Sequence, residues 1–160
     1  MLPEFPHITK CLQCKLIFWL DSSTKTEERD SLSRDYADFL TTEGFKEALY
    51  LGMGQDQTRE THLRMRLLWS WHEEMERGTI LPEEVYKDPA YEENIDGLQK
   101  LINTNDTGGL LYFAELHRFA GRFEEAAHIL EEHLENTEFN MIQESYRRCF
   151  THDRRTYKLA

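Results

Sequence analysis

The chain has 160 residues and a formal net charge of −11, from 19 Lys and Arg against 30 Asp and Glu. That length suits a single domain whose core needs no disulfide staples, and that charge argues against an unassisted duplex-DNA or anionic-membrane binder, because a polyanion would be repelled. The 9 Phe, 7 Tyr and 3 Trp exclude a disordered acidic chain, and the longest apolar run, residues 16–20, falls far short of the roughly 18 residues of a membrane span.

No basic segment followed by an apolar one opens the sequence, so neither a secretory signal nor a disulfide framework is expected, and the expected location is cytoplasmic. Residues 1–20 are expected to form a β element around Cys11-Leu12-Gln13-Cys14. Pro3 and Pro6 disfavour a helix there, and Ile17, Phe18 and Trp19 have strand propensity. Residues 21–36, polar and rich in Ser, Thr and charge, read as a loop. A helical body over residues 37–150 follows.

Its first helix is predicted over 38–51, capped by Thr41 or Thr42 and stopped at Gly52-Met53-Gly54. The second, over 58–77, carries Leu63, Leu67, Trp71 and Met75 on one stripe, widened by Leu68, and ends at Gly78. Pro82 and Pro89 punctuate a linker, and Tyr91, Ile95, Leu98 and Ile102 mark a third helix. Residues 110–120 and 123–134 read as two helices turning at Gly121. A last helix over 139–150 turns Phe139, Ile142, Tyr146, Cys149 and Phe150 to one face. Residues 151–160 are expected to return as a strand beside the N-terminal element. The fold class is therefore mainly α: a helical-hairpin body with a small β element.

Cys11 and Cys14 carry the most chemistry. Two thiols at x2 spacing can turn toward one metal ion, as in half of a zinc ribbon. Cys149-Phe150-Thr151-His152 offers a second x2 pair, so Cys11, Cys14, Cys149 and His152 make the expected structural zinc site, with His7 as the alternative fourth ligand. The Gly usual after the second cysteine of a knuckle is replaced by Lys15. Two other readings stay open: three reduced cysteines without a ligand, and a dithiol redox pair. The strand-like segment after Cys14 weakens the latter, because a redox thiol is ordinarily activated at a helix N-terminus.

Ala114, Gly121, Phe123, Ala126 and Leu130 place small and large residues at the offsets of a packed helical hairpin. This segment resembles one tetratricopeptide repeat, although His133 stands where a small residue is expected and no second copy matches as well. The resemblance implies stacking on neighbouring helices rather than a formed peptide groove. The whole chain also resembles a family of small bacterial proteins with an N-terminal Cys-x2-Cys followed by Phe18-Trp19, a Trp-bearing middle helix, the Gly121 hairpin and a Cys-bearing last helix. That resemblance implies a bacterial cytoplasmic protein with a mainly helical fold, and no particular reaction.

His72-Glu73-Glu74-Met75-Glu76 approaches the H-E-x-x-H metalloprotease motif but ends in Glu76. His72 and Glu76, one helical turn apart, read instead as a solvated pair. Neither a nucleophile elbow nor a P-loop occurs, so no catalytic residue is assigned and an enzyme is not expected. Trp69 lies about 160° round the helix from Trp71 and is a candidate for contact with a partner. Arg118, Arg154 and Arg155 are further contact candidates, although the C-terminal arginines are also expected to form salt bridges to an acidic body. The leading expectation is a non-enzymatic protein-interaction or adaptor protein with an unidentified protein partner and structural zinc. The alternatives are an acidic inhibitor or immunity-type protein that caps a basic effector, and a dithiol redox protein.

Overall fold

A computed structural model describes residues 8–20, 37–135 and 140–156. The apolar segments on either side of the thiols pair as an antiparallel hairpin, β1 (Ile8–Cys11) and β2 (Ile17–Trp19), with Ile8 opposite Trp19 and Lys10 opposite Ile17. Alternation along β2 turns Ile17 and Trp19 onto the core and leaves Phe18 exposed. A two-residue strand, β3 (Ala37–Asp38), pairs with β1 at Lys10 and Cys11 and makes β1 the central strand. The predicted helix start at residue 38 is thereby corrected: Asp38 belongs to the sheet. The expected loop over 21–36 lies outside the described residues, as do residues 1–7.

Seven helices follow among the described residues: α1 (Thr42–Tyr50), α2 (Gln57–Arg77), α3 (Pro82–Val85), α4 (Pro89–Leu101), α5 (Thr107–Phe119), α6 (Phe123–Glu131) and α7 (Asn140–Phe150). Four of them begin where a short polar side chain can take a free backbone N–H. Thr41 accepts from Gly44, Asp56 from Arg59, Asp88 from Ala90 and Asp106 from Gly109. The Pro82–Pro89 linker contains α3, a single turn missed in the sequence, because a proline is tolerated at the first helical position. Val85 of that turn is buried in the core. Helix α6 ends three residues before the predicted 134, where the His133 N–H turns to the Leu130 carbonyl and the last turn tightens. The predicted face residue Phe139 lies outside the described residues.

The interior forms two apolar clusters. The larger joins Ile8 of the sheet to Phe45 of α1, Leu63, Leu67 and Trp71 of α2, Tyr91 and Ile95 of α4, and Leu116 and Phe119 of α5. The smaller joins Leu111 and Ala114 of α5, Ala126 and Leu130 of α6, and Ile142 and Cys149 of α7. Helix α5 therefore supplies side chains to both.

Helix α5 ends with two nested bonds, Gly121 N–H to the Arg118 carbonyl and Arg122 N–H to the His117 carbonyl, around Gly121 at φ 81°. A left-handed backbone costs a residue with a Cβ roughly 1–2 kcal/mol, and a β-branched one more. Gly121→Val should therefore destabilise the protein by at least about 1–2 kcal/mol in urea titration. An unchanged midpoint would show that the turn does not need that conformation.

The described C-terminal residues, 151–156, contain no strand, and the rest of the segment expected to pair with the N-terminal element, residues 157–160, lies outside the described residues. The described part runs across the body. Arg118 of α5 donates to the carbonyls of Asp153 and Arg155, Arg154 donates to the Phe119 carbonyl at 2.7 Å, and the Thr156 hydroxyl reaches Glu76 of α2 at 2.9 Å.

Candidate functional site: the thiol turn

β1 ends at Cys11, and the chain reverses before β2 through a turn closed by two backbone bonds. Cys11 N–H donates to the Leu16 carbonyl at 2.8 Å, and Lys15 N–H to the Cys11 carbonyl at 2.9 Å. Lys15 takes the left-handed conformation itself, φ 62°. The glycine usual after a knuckle's second cysteine is thus absent from the sequence while its backbone geometry is present. The Cys14 N–H points at Cys11 Sγ, 3.5 Å away. That backbone contact is the main reason the Cys11 thiol is shifted below its ordinary value, with the Cys14 side chain, the Gln13 backbone and the Lys15 charge adding to it.

The turn stands at the free end of an arm whose other end is fastened. Trp19 Nε1–H donates to the Met53 carbonyl at 3.0 Å, and the Arg59 guanidinium lies over the Trp19 ring. Midway along the arm, Lys10 pairs with Glu47 of α1 at 2.6 Å. Beyond these anchors residues 12–16 are all exposed, Leu16 to 67%.

The other expected ligands lie elsewhere. Cys149 is buried in the smaller apolar cluster, its Sγ donating to the Ser145 carbonyl at 3.3 Å, and burial pushes its thiol up to about 11. His152 stacks on Phe123, with ring centroids 4.7 Å apart. His7 lies outside the described residues. Among the described residues no three His, Cys, Asp or Glu side chains gather as a metal would require. The structure thus joins Cys11 to Cys14 on one turn and brings neither Cys149 nor His152 to them.

The x2 spacing of Cys149 and His152 has a different origin. His152 N–H donates to the Cys149 carbonyl and Asp153 N–H to the Arg148 carbonyl, the same nested pair that ends α5. His152 occupies the left-handed position, φ 52°, that Gly121 fills there. Histidine is one of the residues that adopt this conformation more readily than most.

The contact candidates separate in the same way. Trp69 is 37% exposed while Trp71 is 1% exposed, as their positions round α2 require. Arg118 is wholly buried and serves inside the protein, so it is removed from the contact surface. Arg154 lies half-buried over the Tyr86 ring, 3.7 Å from its centroid. Arg155 is exposed and pairs with Asp153, which also takes Arg148. Arg147 and Arg148 share Glu144 and hold its carboxyl down to about 2. The C-terminal arginines are therefore mostly engaged with the acidic body.

His72 corrects the expectation of a solvated pair with Glu76. It is buried, its Nε2 2.9 Å from the Tyr91 hydroxyl and its ring edge-on to Phe119. It follows Leu68 by one helical turn, and that position on the apolar stripe was the available signal.

Comparison with protein-family models, with curated proteins and with solved structures found no match to this chain. No helix among the described residues is long and apolar enough to cross a membrane.

Proposed function

We propose that the protein is a non-enzymatic interaction module in which a stack of tetratricopeptide-like helical hairpins carries a metal-binding β arm, Cys11 and Cys14 holding a structural zinc ion. The observation that carries this reading is the turn from Cys11 to Lys15, with its left-handed residue after the second cysteine and its N–H aimed at the first sulfur. Both features fix the two thiols on one short turn before any metal arrives, which lowers the ordering that binding must impose. Zinc bound by four protein ligands keeps no open position for an activated water, so its role there is to hold structure. The exposed Leu12, Leu16 and Phe18 beside the thiols give the arm an apolar surface for a protein partner. The packing of α5 on α6 and of α6 on α7 supports the repeat-like part of the reading.

Metal analysis after zinc reconstitution and desalting tests it. The full chain should retain zinc, Cys11→Ser and Cys14→Ser should each lose it, and Cys149→Ser should keep it. A chain that retains no zinc under reducing conditions overturns the metal reading. Loss in Cys149→Ser alone, with Cys14→Ser still loaded, would move the site to the far end of the sequence.

A further inference from the structure

We propose that the zinc site is shared between two copies of this chain, each supplying Cys11 and Cys14, so that four thiolates from two identical turns complete one tetrahedron. This inference rests on the zinc reading above and adds the identity of the partner.

The ligand inventory comes first. A structural zinc takes four ligands, and this turn offers two. The chain's third and last cysteine, Cys149, is buried in the smaller cluster with its sulfur bonded to Ser145. No third metal-binding side chain joins Cys11 and Cys14 among the described residues. A second copy brings two thiolates of the right kind in the right spacing. A two-fold axis through the metal gives both turns the same environment, as a closed dimer requires.

Accessibility and charge point the same way. Residues 12–16 are all exposed at the end of a hairpin held at its base and middle, so the turns of two copies can approach each other there. Each chain carries a net charge of −11, so two copies repel each other. Residues 8–20, in contrast, contain Lys10 and Lys15 and no Asp or Glu. Zinc with four thiolates carries a net charge of about −2, which one exposed Lys15 from each copy offsets. Leu12 and Leu16 flank the thiols and are exposed. Joined tips would cover them and exclude water from the sulfurs.

The contact is small, so the metal does the holding, and the dimer should depend on it. Light scattering on the eluting full chain, with metal analysis of the same fractions, tests this. The zinc-loaded protein should have about twice the chain mass and about 0.5 zinc per chain, and chelation should return it to a monomer. His7→Ala and Cys149→Ser should behave like the unaltered chain, and Cys14→Ser should stay monomeric and metal-free. One zinc per chain on a monomer would overturn the shared site while leaving the zinc reading intact, and loss of that zinc in His7→Ala would identify one of the two remaining ligands. A dimer that persists through chelation would also overturn it, and a chain that binds no zinc removes both proposals.

Discussion

Arg118→Ala should cost about 3–5 kcal/mol of stability and release the C-terminal segment from the body. The guanidinium is wholly buried and meets the Glu115 carboxylate through two parallel bonds, 2.9 and 2.5 Å. Its remaining N–H group donates to the carbonyls of Asp153 and Arg155. Glu115 in turn accepts from the Ser145 hydroxyl of α7. Alanine would leave a nearly buried carboxylate without its counter-ion and two carbonyls without their donor. Removing one partner of a buried pair costs more than the pair itself contributes, because the stranded charge keeps its desolvation penalty. Lysine should rescue poorly, since a single ammonium cannot serve a carboxylate and two carbonyls in fixed directions. Urea titration reads the loss, and hydrogen exchange should show residues 151–156 losing protection before the helices do. A variant within about 1 kcal/mol of the unaltered protein would show that the segment is held by other contacts.

Arg118 also marks the boundary of what the sequence reveals. The helices of the body are legible because their apolar residues recur every three or four positions and because Thr41 stands where a cap belongs; the caps Asp56, Asp88 and Asp106 emerge from the structure. The two-cluster core follows the same stripes. An arginine on a helix carries no such pattern. Position 118 looks like any solvent-facing residue until the chain 35 residues later crosses over it. Arginine and backbone carbonyls hold residues 153–155 on α5, a fastening that no sequence pattern announces.

His152 shows how a local rule can imitate a functional one. A histidine three residues after a cysteine reads as a ligand pair when spacing is the only information. On the helix end the same histidine closes the turn in the left-handed conformation. Lys15 is the converse case. Its side chain is not the glycine that a left-handed position favours, and only its backbone angle reveals that conformation. The two-residue strand β3 and the single turn α3 are too short for any periodicity to declare them. They exist because the sheet edge and the core supply partners that lie far away along the chain.

Between pH 6.5 and 4 the protein should lose stability on the order of 3 kcal/mol, and His72→Phe should remove most of that slope. Burial is the main cause that lowers His72 to about 4, and the nearby charges of Arg118 and Arg154 add to it. The unfolded chain, where the imidazole regains its ordinary value near 6.5, binds the proton more readily. Falling pH therefore favours unfolding until both states are protonated. The stabilisation is complete above the unfolded value and is lost progressively down to the folded one. His117, lowered by burial and by Arg122, contributes in the same direction. The carboxylates held below their usual range, Asp88, Asp153 and Glu144, act in a lower window that opens near their ordinary values, 3.8 for the aspartates and 4.5 for Glu144. The histidine slope can therefore be read apart from theirs above about pH 5. His72→Phe will also leave the Tyr91 hydroxyl without its 2.9 Å partner, so its stability at pH 7 should drop by about 1–3 kcal/mol. The diagnostic quantity is the change in slope between the two proteins, followed by urea titration at half-unit steps of pH. Parallel profiles would show that His72 binds its proton as readily in the folded chain as in the unfolded one.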